Sequence, residues 1–168
     1  EEMIAHLERS GGHRVLRRLQ PGLTASPQSG GTQHTGIILD VETTGLDTSR
    51  DEVIELGMVK FSFTDAGSLV EIVDTFSGFQ QPGRPIPAEI TEITGITDAM
   101  VAGQSIAPKA VKAFAADASL IVAHNAGFDR RMVERIWPCF TDKDWGCSAS
   151  QVNWRSEGLT GSKLGYVL

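Results

Sequence analysis

The order of apolar runs and breakers along this chain predicts an α/β fold, with a mixed sheet flanked by helices. Three observations carry that reading. Residues 37–79 hold three successive strand-like runs joined by short links. Residues 82–114 are punctuated by prolines and read as short helices. Residues 119–148 read strand, helix, strand. The first group gives an antiparallel meander, and the last returns the chain to the sheet through a helix.

Taken in order, Ile37-Ile38-Leu39 is an apolar run that ends at Asp40 and reads as the first strand. Val53 to Phe63 is the second, closed by the polar turn Thr64-Asp65-Ala66-Gly67-Ser68, and Leu69 to Phe79 pairs back as the third. Pro82, Pro85 and Pro87 then break regular structure, and Pro87 opens a helix to about Thr94. A short helix starts at Thr97-Asp98, where either residue can cap, and Pro108 opens another through Phe114. Ser119 to Ala123 is the fourth strand, Ala126 to Trp137 a helix, and Trp145 to Ser148 a fifth strand. Ahead of all this, residues 1–19 show apolar residues at helical spacing, broken at Gly11-Gly12. They read first as a docking helix, with a DNA-binding arm as the rival because of Arg14, Arg17 and Arg18. Residues 20–35 have linker composition. The domain proper spans 36–168.

A chain of 168 residues suits one domain with a sizeable core. It holds no apolar run near the roughly 18–20 residues that a membrane-spanning helix needs. Two cysteines give neither a disulfide framework nor a zinc cluster, which fits a reducing, cytoplasmic setting. A formal charge of −6 counts against a tight nucleic-acid-binding module. It counts less against an enzyme that meets phosphate through bound cations. Trp137, Trp145 and Trp154 read as packing residues, and Cys147 as buried and inert.

The chemistry concentrates in Asp40-Val41-Glu42. Residues i and i+2 of a strand project from one face, so two carboxylates enter one small volume. Charged carboxylates beside an apolar strand are costly unless one takes a proton or a cation sits between them. Oxygen donors select hard cations, Mg²⁺ or Mn²⁺. The plain alternative is a strand-end Asp and a solvated Glu. Against it stand the apolar run before Asp40, the tight turn Thr43-Thr44-Gly45-Leu46, and a third acid at another strand exit. That acid is Asp129, on the first turn of the helix after the fourth strand. Its own plain alternative is a charge favoured by the helix dipole. Ligands in open α/β sheets sit beyond strand ends, so Asp129 can converge on Asp40 if the strands are neighbours. His124 reads as a hydrogen-bonded structural residue rather than a general base. Asn125 reads as orienting the loop or touching substrate.

These segments resemble a known family. Asp40-Val41-Glu42-Thr43-Thr44-Gly45-Leu46 resembles the first motif of the DEDD superfamily of 3′-5′ exonucleases, and His124-Asn125-Ala126-Gly127-Phe128-Asp129 resembles the second. Ile86-Pro87 through Ile93-Thr94-Gly95-Ile96-Thr97-Asp98 is similar to the stretch between them in proofreading exonucleases of the DNA polymerase III epsilon type. The likeness covers about residues 36 to 168. It implies a ribonuclease H-like fold with five strands in the order 3-2-1-4-5, strand 2 antiparallel. It implies two ions, Mg²⁺ or Mn²⁺, about 4 Å apart on the scissile phosphate. It implies hydrolysis at a nucleic-acid 3′ end, DNA before RNA, with release of nucleoside 5′-monophosphates and a DNA polymerase as partner. Asp40, Glu42 and Asp129 resemble the metal ligands. Thr43 and Thr44 resemble residues that meet the terminal nucleotide, Leu46 and Ile93 those that pack on its base, and Asn125 and Phe128 those that line the cleft.

One departure is plain. The family carries a third motif, with a fourth acid and a catalytic His or Tyr. The present sequence ends at Lys163-Leu164-Gly165-Tyr166-Val167-Leu168, which looks like the helix before it. The chain therefore reads as C-terminally truncated and, taken alone, of low activity. Two rivals follow: an RNA exonuclease of the RNase T or oligoribonuclease type, and a non-catalytic interaction module on the same fold.

Overall fold

The computed structural model describes residues 32–167. The expectations for residues 1–19 and for most of the linker lie outside the described residues. Five strands form one sheet: β1 (Gln33–Thr43), β2 (Val53–Thr64), β3 (Leu69–Phe79), β4 (Leu120–Ala123) and β5 (Asp144–Cys147). Their order is β3-β2-β1-β4-β5. β2 runs antiparallel to both β1 and β3, whereas β4 pairs parallel with β1 and β5 parallel with β4. This is the order expected above, with strand 2 reversed.

β1 is much longer than its three-residue apolar run. It takes in Gln33, His34 and Thr35, assigned above to the linker, because they pair with Thr64, Phe63 and Ser62 of β2. Ladder hydrogen bonds override polar composition there. β5 begins one residue early, at Asp144, and Ser148 instead opens a short helix.

Alternation along β1 sets the layers. Ile37, Leu39 and Val41 are buried, together with Leu56 and Met58 of β2 and Ile121 of β4. Two helices cover that face, α3 (Pro108–Ala115) through Val111 and Phe114, and α4 (Ala126–Ile136) through Met132 and Val133. Trp137 and Phe140, just before and within the 3-10 turn Pro138–Phe140, complete the core. Ile38, within the apolar run of the first strand, is nonetheless 50% exposed, because a strand buries alternate residues. A smaller cluster of Ile54, Ile86, Ile96 and Val101 seats α1 (Ala88–Thr94) and α2 (Asp98–Val101) beside the start of β2. Pro87 precedes α1, and Gly95 closes it in the left-handed region at φ 75°. Of the two capping candidates it is Thr97 that caps α2, accepting from Met100 N, while Asp98 accepts from Ile86 N at 3.0 Å. The chain continues through α5 (Ser148–Gln151) to α6 (Leu164–Val167). β3 forms the outer margin, with Ile72 and Val73 exposed.

Candidate active site

β1 outruns its parallel neighbour. Its last pair with β4 is Ile38 with Val122, so Asp40 and Glu42 project past the point where β4 gives way to α4. A register shift between Glu42 and Thr43 interrupts the ladder to β2. Such irregularities re-aim side chains and recur beside active sites. Asn125 turns the chain from β4 into α4 at φ 66°, ψ 43°. It is the single non-glycine residue at positive φ among the described residues. Asn tolerates this region better than most residues, and strain of this kind gathers at functional sites. The turn places Asp129 one helical turn later, 3% exposed.

The three carboxylates share one electrostatic neighbourhood. Burial pushes the Asp129 carboxyl up to about 7, and the charges of Asp40 and Glu42 add to the rise. Backbone N–H groups of Asp129 and Val41 oppose it, so the peptide between the two β1 acids faces the α4 acid. Glu42 is raised by burial, then by Asp40 and by Glu55. Asp40 keeps an accessible surface, yet the protein around it raises its carboxyl, with the nearby His124 pulling the other way. None of the three has an ion-pair partner among the described residues. Nor do any three His, Cys, Asp or Glu side chains there already form a group that would hold an ion. The fold thus brings the acids near one another without closing a cage. Their chemistry fits a hard divalent cation: all-oxygen donors, unpaired, one of them buried at a cost that positive charge would remove.

The surrounding residues divide into tips and supports. Leu46 is 83% exposed and Ile93 79% exposed, large apolar side chains held out into solvent. Thr43 and Thr44 are buried, and their hydroxyls bind inside the turn rather than projecting outward: Thr43 Oγ1 donates to Gly45 O at 2.6 Å, and Thr44 Oγ1 accepts from Glu52 N at 3.0 Å. Phe128 is half-buried against the main core. His124 Nδ1 lies 3.0 Å from Ser148 Oγ, the hydrogen-bonded role read for it. Trp137 is fully packed, and Trp154 donates to Ser148 O. Cys147 corrects the sequence reading: it is only partly buried, and the Ser150 hydroxyl lowers its thiol to about 7.

Two features escaped the sequence. Glu55 stands directly across the ladder from Glu42, a pairing that only register reveals. Arg135, near the end of α4, reaches across to the β1–β2 loop, 84 and 87 residues away in the chain.

Comparison with known proteins adds the following. A family model described as exonuclease matches residues 37–137, more than half of the chain. DNA polymerase III of PolC type from Clostridium perfringens is 41% identical over 101 residues, covering 59% of this chain and 7% of that protein. The same enzyme from Thermotoga maritima is 41% identical over 105 residues, covering 61% and 7%. The chain therefore spans only a small fraction of the length of these relatives. Among solved structures, Exonuclease X in complex with 5′ overhanging duplex DNA aligns at TM-score 0.53 and 25% identity, covering 79% of this chain and 85% of that one. Product-bound exonuclease I aligns at TM-score 0.60 and 16% identity, covering 81% and 38%, a likeness of fold.

Proposed function

From its membership of the exonuclease family, to which this chain belongs, we propose that it removes nucleotides from the 3′ end of a DNA strand and releases nucleoside 5′-monophosphates. The observation that carries this reading is the buried Asp129 beside Asp40 and Glu42, with no ion-pair partner among the described residues. A buried acid with no cationic side chain against it among the described residues is stabilised by a divalent ion. Asp40, Glu42 and Asp129 are the residues that would hold Mg²⁺ or Mn²⁺, two ions by family likeness. Bound there, such ions supply Lewis-acid charge to the phosphate oxygens.

The chain's own residues do the rest by positioning. Leu46 and Ile93 receive the terminal base on their exposed apolar surfaces, a contact that favours a frayed or single strand. The backbone of the Thr43-Thr44 turn, stiffened by its inward hydroxyls, lies against the terminal sugar and phosphate. Asn125 holds the entry to α4 and, with Phe128, lines the cleft. His124, tied to Ser148, orients this corner. The PolC-type relatives are DNA polymerases, which supports an activity exercised alongside DNA synthesis. No helix among the described residues is long and apolar enough to cross a membrane.

The test is cleavage of a 3′-labelled oligodeoxynucleotide with Mn²⁺ by the complete gene product. Asp40→Ala is expected to bring cleavage below detection while leaving the fold intact by circular dichroism. Cleavage at the unaltered rate would remove the metal-site assignment.

A further inference from the structure

The loop that carries Leu46 is built as a rigid cap. Asp51 accepts from Asp47 N at 2.8 Å and from Thr44 Oγ1 at 3.3 Å. Thr44 N donates to Glu52 O and Asp51 N to Asp47 O. A Cβ at Gly45 would come within 2.4 Å of the Asp51 carboxylate, so loop and side chain are in full contact. Internal bonds fix the shape of the loop but not its orientation to the rest of the site. One side is anchored by its continuity with β1 and β2.

The other anchor is Arg135. Its Nη1 donates to Thr48 O at 2.5 Å and its Nη2 donates to Asp51 O. Neither carbonyl has another hydrogen-bond partner among the described residues. A planar guanidinium can hold two acceptors in a fixed relation, which an ammonium on a flexible stem cannot. Arg135 lies six residues beyond Asp129 on the same helix, α4. One side chain therefore joins the loop presenting Leu46 to the helix presenting Asp129. It also lines a cleft of about 670 Å³ with Arg50 and Trp137, away from the three carboxylates.

We propose that Arg135 is a positioning residue for substrate, fixing the base-packing tip at Leu46 relative to the carboxylates. The inference rests on the reading of Leu46 as a base contact. Without the brace the cap swings with its strand ends, the terminal base loses its seat, and the reacting groups stay in place. The effect should fall on KM more than on kcat.

The experiment measures kcat and KM of the complete gene product on a single-stranded oligodeoxynucleotide, for Leu46→Ala, Arg135→Ala, Arg135→Lys and the double variant Leu46→Ala with Arg135→Ala. Leu46→Ala and Arg135→Ala should each raise KM roughly tenfold, with kcat within about twofold of the parent. Arg135→Lys should fall between parent and Arg135→Ala. In the double variant KM should match Leu46→Ala alone, because the brace acts through that residue. An unchanged KM in Leu46→Ala would overturn the base-contact reading and this inference together. A raised KM in Leu46→Ala, with no effect of Arg135→Ala or with full additivity, would overturn the inference alone. Should Arg135→Ala not fold, Arg135→Lys, alone and with Leu46→Ala, is read by the same criteria.

Discussion

Asp129 is the residue on which charge, burial and proposed chemistry meet. Its carboxyl sits at about 7 in the folded protein because it is buried near two other acids. In an unfolded chain an aspartate titrates near 3.9, so between those values the folded state binds more protons. Stability from this group is therefore fully present below the unfolded value and is lost as pH rises toward and through 7. The metal-free protein is expected to melt at a higher temperature at pH 5 than at pH 8, and Asp129→Asn should flatten that dependence. Calorimetric melting of both proteins across the range checks it. An identical pH slope in the variant would assign the effect elsewhere.

At the level of elements, much was legible and the failures have identifiable causes. Strands β2 and β3, the proline-led helices and α4 all follow from period and breakers, and Asp40, Glu42 and Asp129 stand out as candidates in the sequence because strand spacing and strand exits are local properties. The extent of β1 was not legible, since Gln33 to Thr35 are strand only by virtue of pairing with β2. The same holds for Glu55, whose place opposite Glu42 is a matter of register, and for Arg135, whose acceptors are carbonyls that any residue could supply. Cys147 was misjudged because its neighbours include Ser150, on the short helix α5 that the sequence did not announce. The β1–β2 loop yields its own test. Gly45→Ala places a methyl group against the Asp51 carboxylate and displaces the acceptor of Asp47 N. It should destabilise the fold by about 1–3 kcal/mol, the usual range for overpacking, as read by denaturant titration.

Across the described residues, the sheet brings acids from β1 and from the β4–α4 junction into one electrostatic neighbourhood, where none of them has an ion-pair partner. A cation that binds the folded state alone should therefore stabilise it, by about 2.7 kcal/mol when present at a hundred times its dissociation constant. Thermal melts with Mn²⁺ are expected to shift upward, to return on adding a chelator, and to shift less for Asp129→Asn. An unmoved melt at saturating Mn²⁺ would speak against the ion. The β3 margin of the sheet carries a different liability. β3 offers an eleven-residue outer strand with Ile72 and Val73 toward solvent, and Glu71 and Asp74 are the charges set among them. Like charges of this kind discourage neighbouring molecules from adding on as further strands. Salt shortens their reach to about 3 Å at 1 M. Concentrated solutions of the domain should thus grow turbid or scatter more light at high ionic strength, and keep best in dilute buffer.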